Sequence, residues 1–149
     1  MEYVRPLVHF RNQIVPYFFK GEMAHPAEFL DPLPTVTSDW KWHGKTLVTM
    51  EAVQTSAWRI LEYPESEKRD WTQGKVRKMV FIFTNFSDTP VKSRLRAHLE
   101  ESGFADLSKV KVEKIGSDGT RTPLSLEFFK QEIDFAPFQT WGVELSETE

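Results

Sequence analysis

Three acids and a histidine stand close together early in the chain: Glu22, His25, Glu28 and Asp31. Paired carboxylates are the working groups of glycosidic-bond cleavage. One acid protonates the leaving oxygen and the other attacks the sugar or activates water, the two standing about 5–9 Å apart. A histidine among acids is an acid–base or metal-binding candidate in its own right, so Glu22, Glu28 and His25 define a small-hydrolase reading. The ordinary fate of acids in a proline-punctuated stretch is to be solvated turn and cap residues, and that is what is expected here. The other histidines are His9, His43 and His98, which give no pair at helical spacing and no HExxH pattern. With no cysteine in the chain, disulfides, thiol catalysis and thiolate metal sites are excluded. Neither a metal nor a cofactor is expected, and no catalytic residue is assigned. The nucleophile elbow Gly-x-Ser-x-Gly and glycine-rich phosphate loops are absent from the sequence.

The tryptophans are the more informative set. Sugar rings present flat C–H faces that stack on indoles, and an indole adds an N–H at its edge. Trp40-Lys41-Trp42 places two indoles on one face if the segment is extended. Trp71 stands in a polar stretch, where core packing least explains it. Trp40, Trp42 and Trp71 are therefore the candidate sugar-stacking residues, whereas Trp58 and Trp141 sit in strand-like sequence and are expected to fill a core. Lys92, Arg94, Arg96 and His98 alternate with apolar residues and form a basic stripe. Such a stripe is expected to be a solvated strand face that guards a sheet edge, rather than a polyanion site.

The elements that must carry these residues follow from length and periodicity. At 149 residues and 17.4 kDa the chain has the size of one ordinary domain, and it is too short for a complete (β/α)8 barrel of about 200–250 residues. Hydrophobic residues make up 40% and charged residues 28%, which is a globular composition. A net charge of −3 with both signs interspersed argues against a nucleic-acid partner. No apolar run approaches the length of a membrane span. The opening Met1-Glu2-Tyr3-Val4-Arg5-Pro6 lacks the charged and apolar regions of a signal peptide, so a cytoplasmic protein is expected.

Val4, Leu7, Val8, Arg11, Ile14, Val15 and Phe18 recur at helical spacing, with Phe10 and Tyr17 widening the stripe. This predicts a helix from Val4 to Lys20, opened by Pro6, stopped at Gly21 and kinked or weakened by Pro16. Residues 21–39 read as an ordered connector punctuated by Pro26, Pro32 and Pro34, with one helical turn at 27–30. From Thr35 the period becomes two. Strands are expected at 35–37, 47–53, 56–61, 76–85, 91–99, 110–115, 121–124, 129–135 and 139–145, with turns at His43-Gly44, 85–90 and 117–120. The segment Met79-Val80-Phe81-Ile82-Phe83 is apolar on both faces, as in a strand covered from both sides. The pattern predicts an all-β fold: an antiparallel β-sandwich of two sheets, Greek-key-like, with one N-terminal α-helix. Residues 1–34 form the helix and connector, and 35–149 the sandwich.

At Val80-Phe81-Ile82-Phe83-Thr84-Asn85-Phe86-Ser87-Asp88-Thr89-Pro90-Val91 the chain resembles the C-terminal β-sandwich that follows the catalytic barrel in many glycoside hydrolases. There an apolar strand ends in Asn-x-Ser-Asp and an alternating strand follows. The run from Ile133 through Pro137 and Trp141 to Leu145 is similar to the final strand of that domain, with its preceding proline, and Ile115-Gly116-Ser117-Asp118-Gly119 resembles one of its later hairpins. The stretch from Phe10 to Phe29 is similar to the last barrel helix and the connector leaving it. The resemblance implies a non-catalytic accessory domain, because the carboxylates of those enzymes lie on barrel strands that this chain lacks. It implies two partners through the helix, a catalytic barrel or a second copy of the chain. The alternative from the residues themselves is a free-standing carbohydrate-binding module using the exposed tryptophans.

Overall fold

The computed structural model describes residues 4–37, 41–46, 48–65 and 70–148, the side chains of Lys41, Trp42, Thr46 and Trp71 excepted. Helix α1 runs over Val4–Lys20. Pro16 leaves the Asn12 carbonyl without its helical partner, and the helix continues through it. Both residues face solvent, where water can serve that carbonyl. Gly21 ends the helix because nothing larger fits: a Cβ there would strike the carbonyl oxygens of Tyr17 and Arg59.

The strands follow in chain order. β1 is Gly21–Ala24, β2 is Glu28–Phe29 and β3 is Thr35–Thr37. β4 (Lys41–Trp42) and β5 (Lys45–Thr46) flank the His43-Gly44 turn. Both turn residues have positive φ, 50° and 77°, as a tight two-residue hairpin requires. β6 is Thr49–Glu51, β7 is Val53–Glu62, β8 is Lys75–Asn85 and β9 is Val91–Arg96. β10 is Val110–Ile115, β11 is Arg121–Leu124, β12 is Glu132–Phe135 and β13 is Thr140–Glu147.

Six strands form one antiparallel sheet in the order β1-β7-β8-β13-β10-β11, and three form a second in the order β12-β9-β2. The chain passes between the sheets at β1–β2, β8–β9, β9–β10, β11–β12 and β12–β13, so many neighbours in sequence supply opposite layers. Phe81, Phe83, Val143 and Leu145 from the large sheet meet Val91, Leu95, Ile133 and Phe135 from the small one in a common core. Trp141 lies there as expected, its ring 4.9 Å from Phe83 and 5.7 Å from Phe135. The architecture is an all-β sandwich with one N-terminal helix.

The helix explains why β8 is apolar on both faces. Phe10, Ile14 and Tyr17 pack on Val80 and Ile115 from the side of the large sheet away from the sandwich core. The large sheet is thus the middle of three layers. Trp58 belongs to this outer interface and is only partly buried, its ring 5.1 Å from Phe18. Beneath the helix the Tyr17 hydroxyl donates to Glu144 Oε2 at 2.8 Å, and Arg121 donates to Glu144 Oε1 at 2.7 Å. Burial first, and then the Glu144 charge, push the Tyr17 hydroxyl pKa far up. Burial opposes the Arg121 charge, but the Glu144 hydrogen bond and charge outweigh it and raise its pKa.

The structure corrects several local expectations. The segment 27–30 is no helical turn: Glu28–Phe29 pairs with β9, the Leu30 N–H donates to the Arg94 carbonyl, and Phe29 packs on the core. Tertiary ladder bonds override the weak local preference. Of the strand expected at 47–53, Leu47 lies outside the described residues and the remainder is divided by a bend at Ala52, whose N–H donates to Pro34. The first half of the strand expected at 129–135 is a 3-10 turn over Leu126–Lys130 that drops Phe129 into the core. The connector contributes β1 and β2 to the two sheets.

The Asn-x-Ser-Asp turn is a closed hydrogen-bond unit. Asn85 is 1% exposed. Its Nδ2 donates to the carbonyls of Thr89 and Phe135 at 2.9 and 3.0 Å. Its Oδ1 accepts from the Ser87 N–H and hydroxyl at 2.9 and 2.7 Å. All four hydrogen-bonding positions of the amide are filled, which ties the end of β8 to the end of β12.

Candidate functional site

The helix carries two apolar faces. Successive residues turn by 100°, so Phe10, Ile14 and Tyr17 share the face that docks on the sheet. Val4, Leu7, Val8, Val15, Phe18 and Phe19 occupy the neighbouring face. That second face is the centre of the stripe read from the sequence, and it points outward. Phe19 is 81% exposed and Val4 52%, and Met23 in β1 continues the surface at 70%. A surface helix ordinarily turns polar residues to solvent.

The outward face extends past the N-terminal end of α1. A depression of about 310 Å³ is lined by Pro6, Leu7, Pro137, Phe138 and Thr140. A second, of about 680 Å³, lies beyond Phe138 and is lined by Val36, Val48, Met50 and Phe86. Phe138 therefore stands between two concave surfaces. Its φ of 52° lies in the left-handed region, which bulky residues rarely adopt. The turn is held there by its N–H donating to Ser87 at 3.2 Å and by the Asn85 N–H donating to Gln139 at 3.0 Å. The result is a strained residue holding a half-exposed phenyl ring outward.

The early acids separate. Glu22 Oε1 is engaged by Arg59, 2.7 Å from Nε and 2.6 Å from Nη2. Asp31 is held by Arg94 through both its backbone N–H and its guanidinium, and these hydrogen bonds lower the Asp31 pKa to about 2. Glu28 and His25 do come together, and the group that joins them is His98. This corrects the reading of His98 as a solvated member of the basic stripe. β9 ends at Arg96, the alternation ends with it, and the His98 side chain is 11% exposed. Its Nε2 lies 3.3 Å from Glu28 Oε1, and its ring centroid 4.4 Å from that of His25. Sequence spacing could not show this, because β2 meets the end of β9 only through the sheet. Elsewhere in the stripe Lys92 pairs with Asp134 and Arg94 with Asp31, so acids neutralise two of its charges.

Trp40 lies outside the described residues. Trp42 falls in β4, and Trp71 opens a 3-10 turn capped by Asp70, but their side chains lie outside the description. Among the described residues no helix is long and apolar enough to cross a membrane. Compared with protein-family models, with curated proteins and with solved structures, the chain gives no match.

Proposed function

We propose that this chain is a non-catalytic accessory domain, related to the C-terminal sandwich of glycoside hydrolases, which covers a catalytic barrel with the outward face of α1. The observation that carries the reading is the second apolar face of a helix already docked by its first. Exposed apolar surface on this scale marks a contact surface, and covering it stabilises an assembly by about 25 cal/mol per Å² of apolar area. The outer layer of a barrel is made of helices with apolar flanks, and a helix packs well on helices. The resemblance at the Asn85 turn and the closing strand supplies the class of partner. Glu22 and Asp31 support the non-catalytic half of the reading, since arginines occupy both.

The test has two arms. Pure chain is assayed for release from a panel of aryl glycosides, where no turnover is expected. The gene neighbourhood is then read for a barrel contiguous with or adjacent to this sequence. That barrel, produced separately, should bind the chain and lose it on Phe19→Asp or Val8→Asp. Turnover by the chain alone, or barrel binding indifferent to both substitutions, refutes the proposal.

A further inference from the structure

We propose that His25, Glu28 and His98 form a binding site for a divalent transition-metal ion of the zinc class. Each of the three offers a ligand atom within 4.8 Å of the other two. The closest pair is the most telling. His98 Nε2 and Glu28 Oε1 are 3.3 Å apart. Two ligands about 2.0–2.1 Å from one tetrahedral zinc ion stand about 3.3–3.4 Å from each other. Yet the two atoms do not form a hydrogen bond, and His98 Nε2 is buried without a hydrogen-bond partner. A buried ring nitrogen left unsatisfied is costly unless something else takes its lone pair. A metal ion between the two atoms would.

The remaining nitrogens are arranged as the surroundings of such an ion require. His25 Nδ1 lies 2.9 Å from the Pro26 carbonyl, which can only accept. The proton of a neutral His25 ring is therefore on Nδ1, and Nε2 carries the lone pair. His98 Nδ1 faces Glu100 at 3.7 Å and Glu101 at 3.9 Å. At these distances neither carboxylate is hydrogen-bonded, but their negative charge beside Nδ1 favours the proton there and leaves the Nε2 lone pair for a metal. Two imidazoles and a carboxylate are a donor set that suits zinc, cobalt and nickel and disfavours magnesium and calcium. Three protein ligands leave a fourth position, and His25 and Glu28 are both exposed, so water can reach it.

The site goes beyond the accessory-domain reading and does not depend on it. It would clip the segment that leaves β1 onto β2 and onto the end of β9, joining the large sheet to the small one. The experiment uses tag-free full chain stripped with a chelator and titrated with Zn²⁺ and with Co²⁺. One ion per chain is expected, with the visible absorption of four-coordinate cobalt and a rise in Tm that magnesium does not reproduce. His25→Ala and Glu28→Gln change exposed side chains. Each is expected to match the wild-type Tm in chelator and to bind about tenfold more weakly or worse. No uptake of Zn²⁺ by the wild type, or equal affinity in both variants, overturns the site.

Discussion

The turn after β8 invites a quantitative test because Asn85 is buried and saturated. Asn85→Ala removes two donors and two accepted bonds at once, and it strands the Phe135 carbonyl and the Ser87 N–H. Four bonds at about 1 kcal/mol each give a loss of about 4 kcal/mol. Asn85→Asp separates shape from chemistry. It keeps an acceptor for Ser87 but aims a carboxylate oxygen at the Thr89 and Phe135 carbonyls, which both lose the Asn85 donor, Thr89 keeping only the Ser87 hydroxyl. Ionised, the introduced group faces repulsion in a dry site, and protonated it donates to one of the two carbonyls. Its folded pKa is therefore raised above its unfolded value of about 4. A raised carboxyl pKa means that the folded state holds the proton longer. The variant is then best below the unfolded pKa and loses stability as pH rises through the folded one. The gap between wild type and Asn85→Asp should widen from about pH 5 to about pH 8. Urea unfolding followed by the fluorescence of buried Trp141 measures both variants. A loss under about 1 kcal/mol for Asn85→Ala, or a pH-independent gap for Asn85→Asp, would refute the view that this motif is a hydrogen-bonded fastener.

Tyr17→Phe removes one donor from a buried carboxylate that Arg121 still holds, and urea unfolding should report a loss of about 2 kcal/mol. Asp31→Asn abolishes a group whose folded pKa is depressed to about 2, so its stabilisation is present above the unfolded pKa and lost as pH falls through the folded one. The difference in unfolding midpoint between Asp31→Asn and wild type should be constant near neutrality and close between about pH 4 and about pH 2. At the left-handed Phe138, glycine is free of the steric cost that alanine bears, so Phe138→Gly should be about 1 kcal/mol more stable than Phe138→Ala by thermal unfolding.

Much of the scaffold was legible because its signals are local. The alternation of Val91, Ser93 and Leu95 and the turn at Ser117-Asp118-Gly119-Thr120 specify a strand and a hairpin without outside help; the hairpin forms where expected, and the strand forms over Val91–Arg96 of the expected 91–99. The misreadings fall where tertiary contacts outvote the local pattern. Glu28–Phe29 is a strand because β9 lacks a neighbour on that side. The apolar stripe of α1 was visible, but not which flank docks. Phe10, Ile14 and Tyr17 are buried because Val80 and Ile115 meet them, and the sequence of α1 holds no record of that sheet. The histidine cluster was half legible. His25 and Glu28 are near neighbours in sequence, whereas His98 reaches them through the β2–β9 pairing. Its alternation with Arg94 and Arg96 disguised it as one more solvated strand residue.

Two independent costs coincide on one side of the molecule, and the proposed docking surface rests on that coincidence. A helix whose sole duty was to cover the large sheet would gain solubility from polar residues at Val4, Val8 and Phe19, at no loss of packing against Val80 and Ile115. The chain keeps them apolar. Beside them, Phe138 is held at a φ of 52° that a glycine would adopt without strain, with its ring turned outward. Exposure of apolar area and backbone strain have unrelated physical origins, so one folding compromise does not account for both; the proposed partner would cover both. The His25, Glu28 and His98 cluster draws Glu28 from the small sheet and His98 from just beyond it, across the large sheet from α1. A barrel seated on the helix would leave that cluster open to solvent. Loss of barrel binding and loss of metal binding should accordingly be separable, Phe19→Asp acting on the first alone and His25→Ala on the second alone.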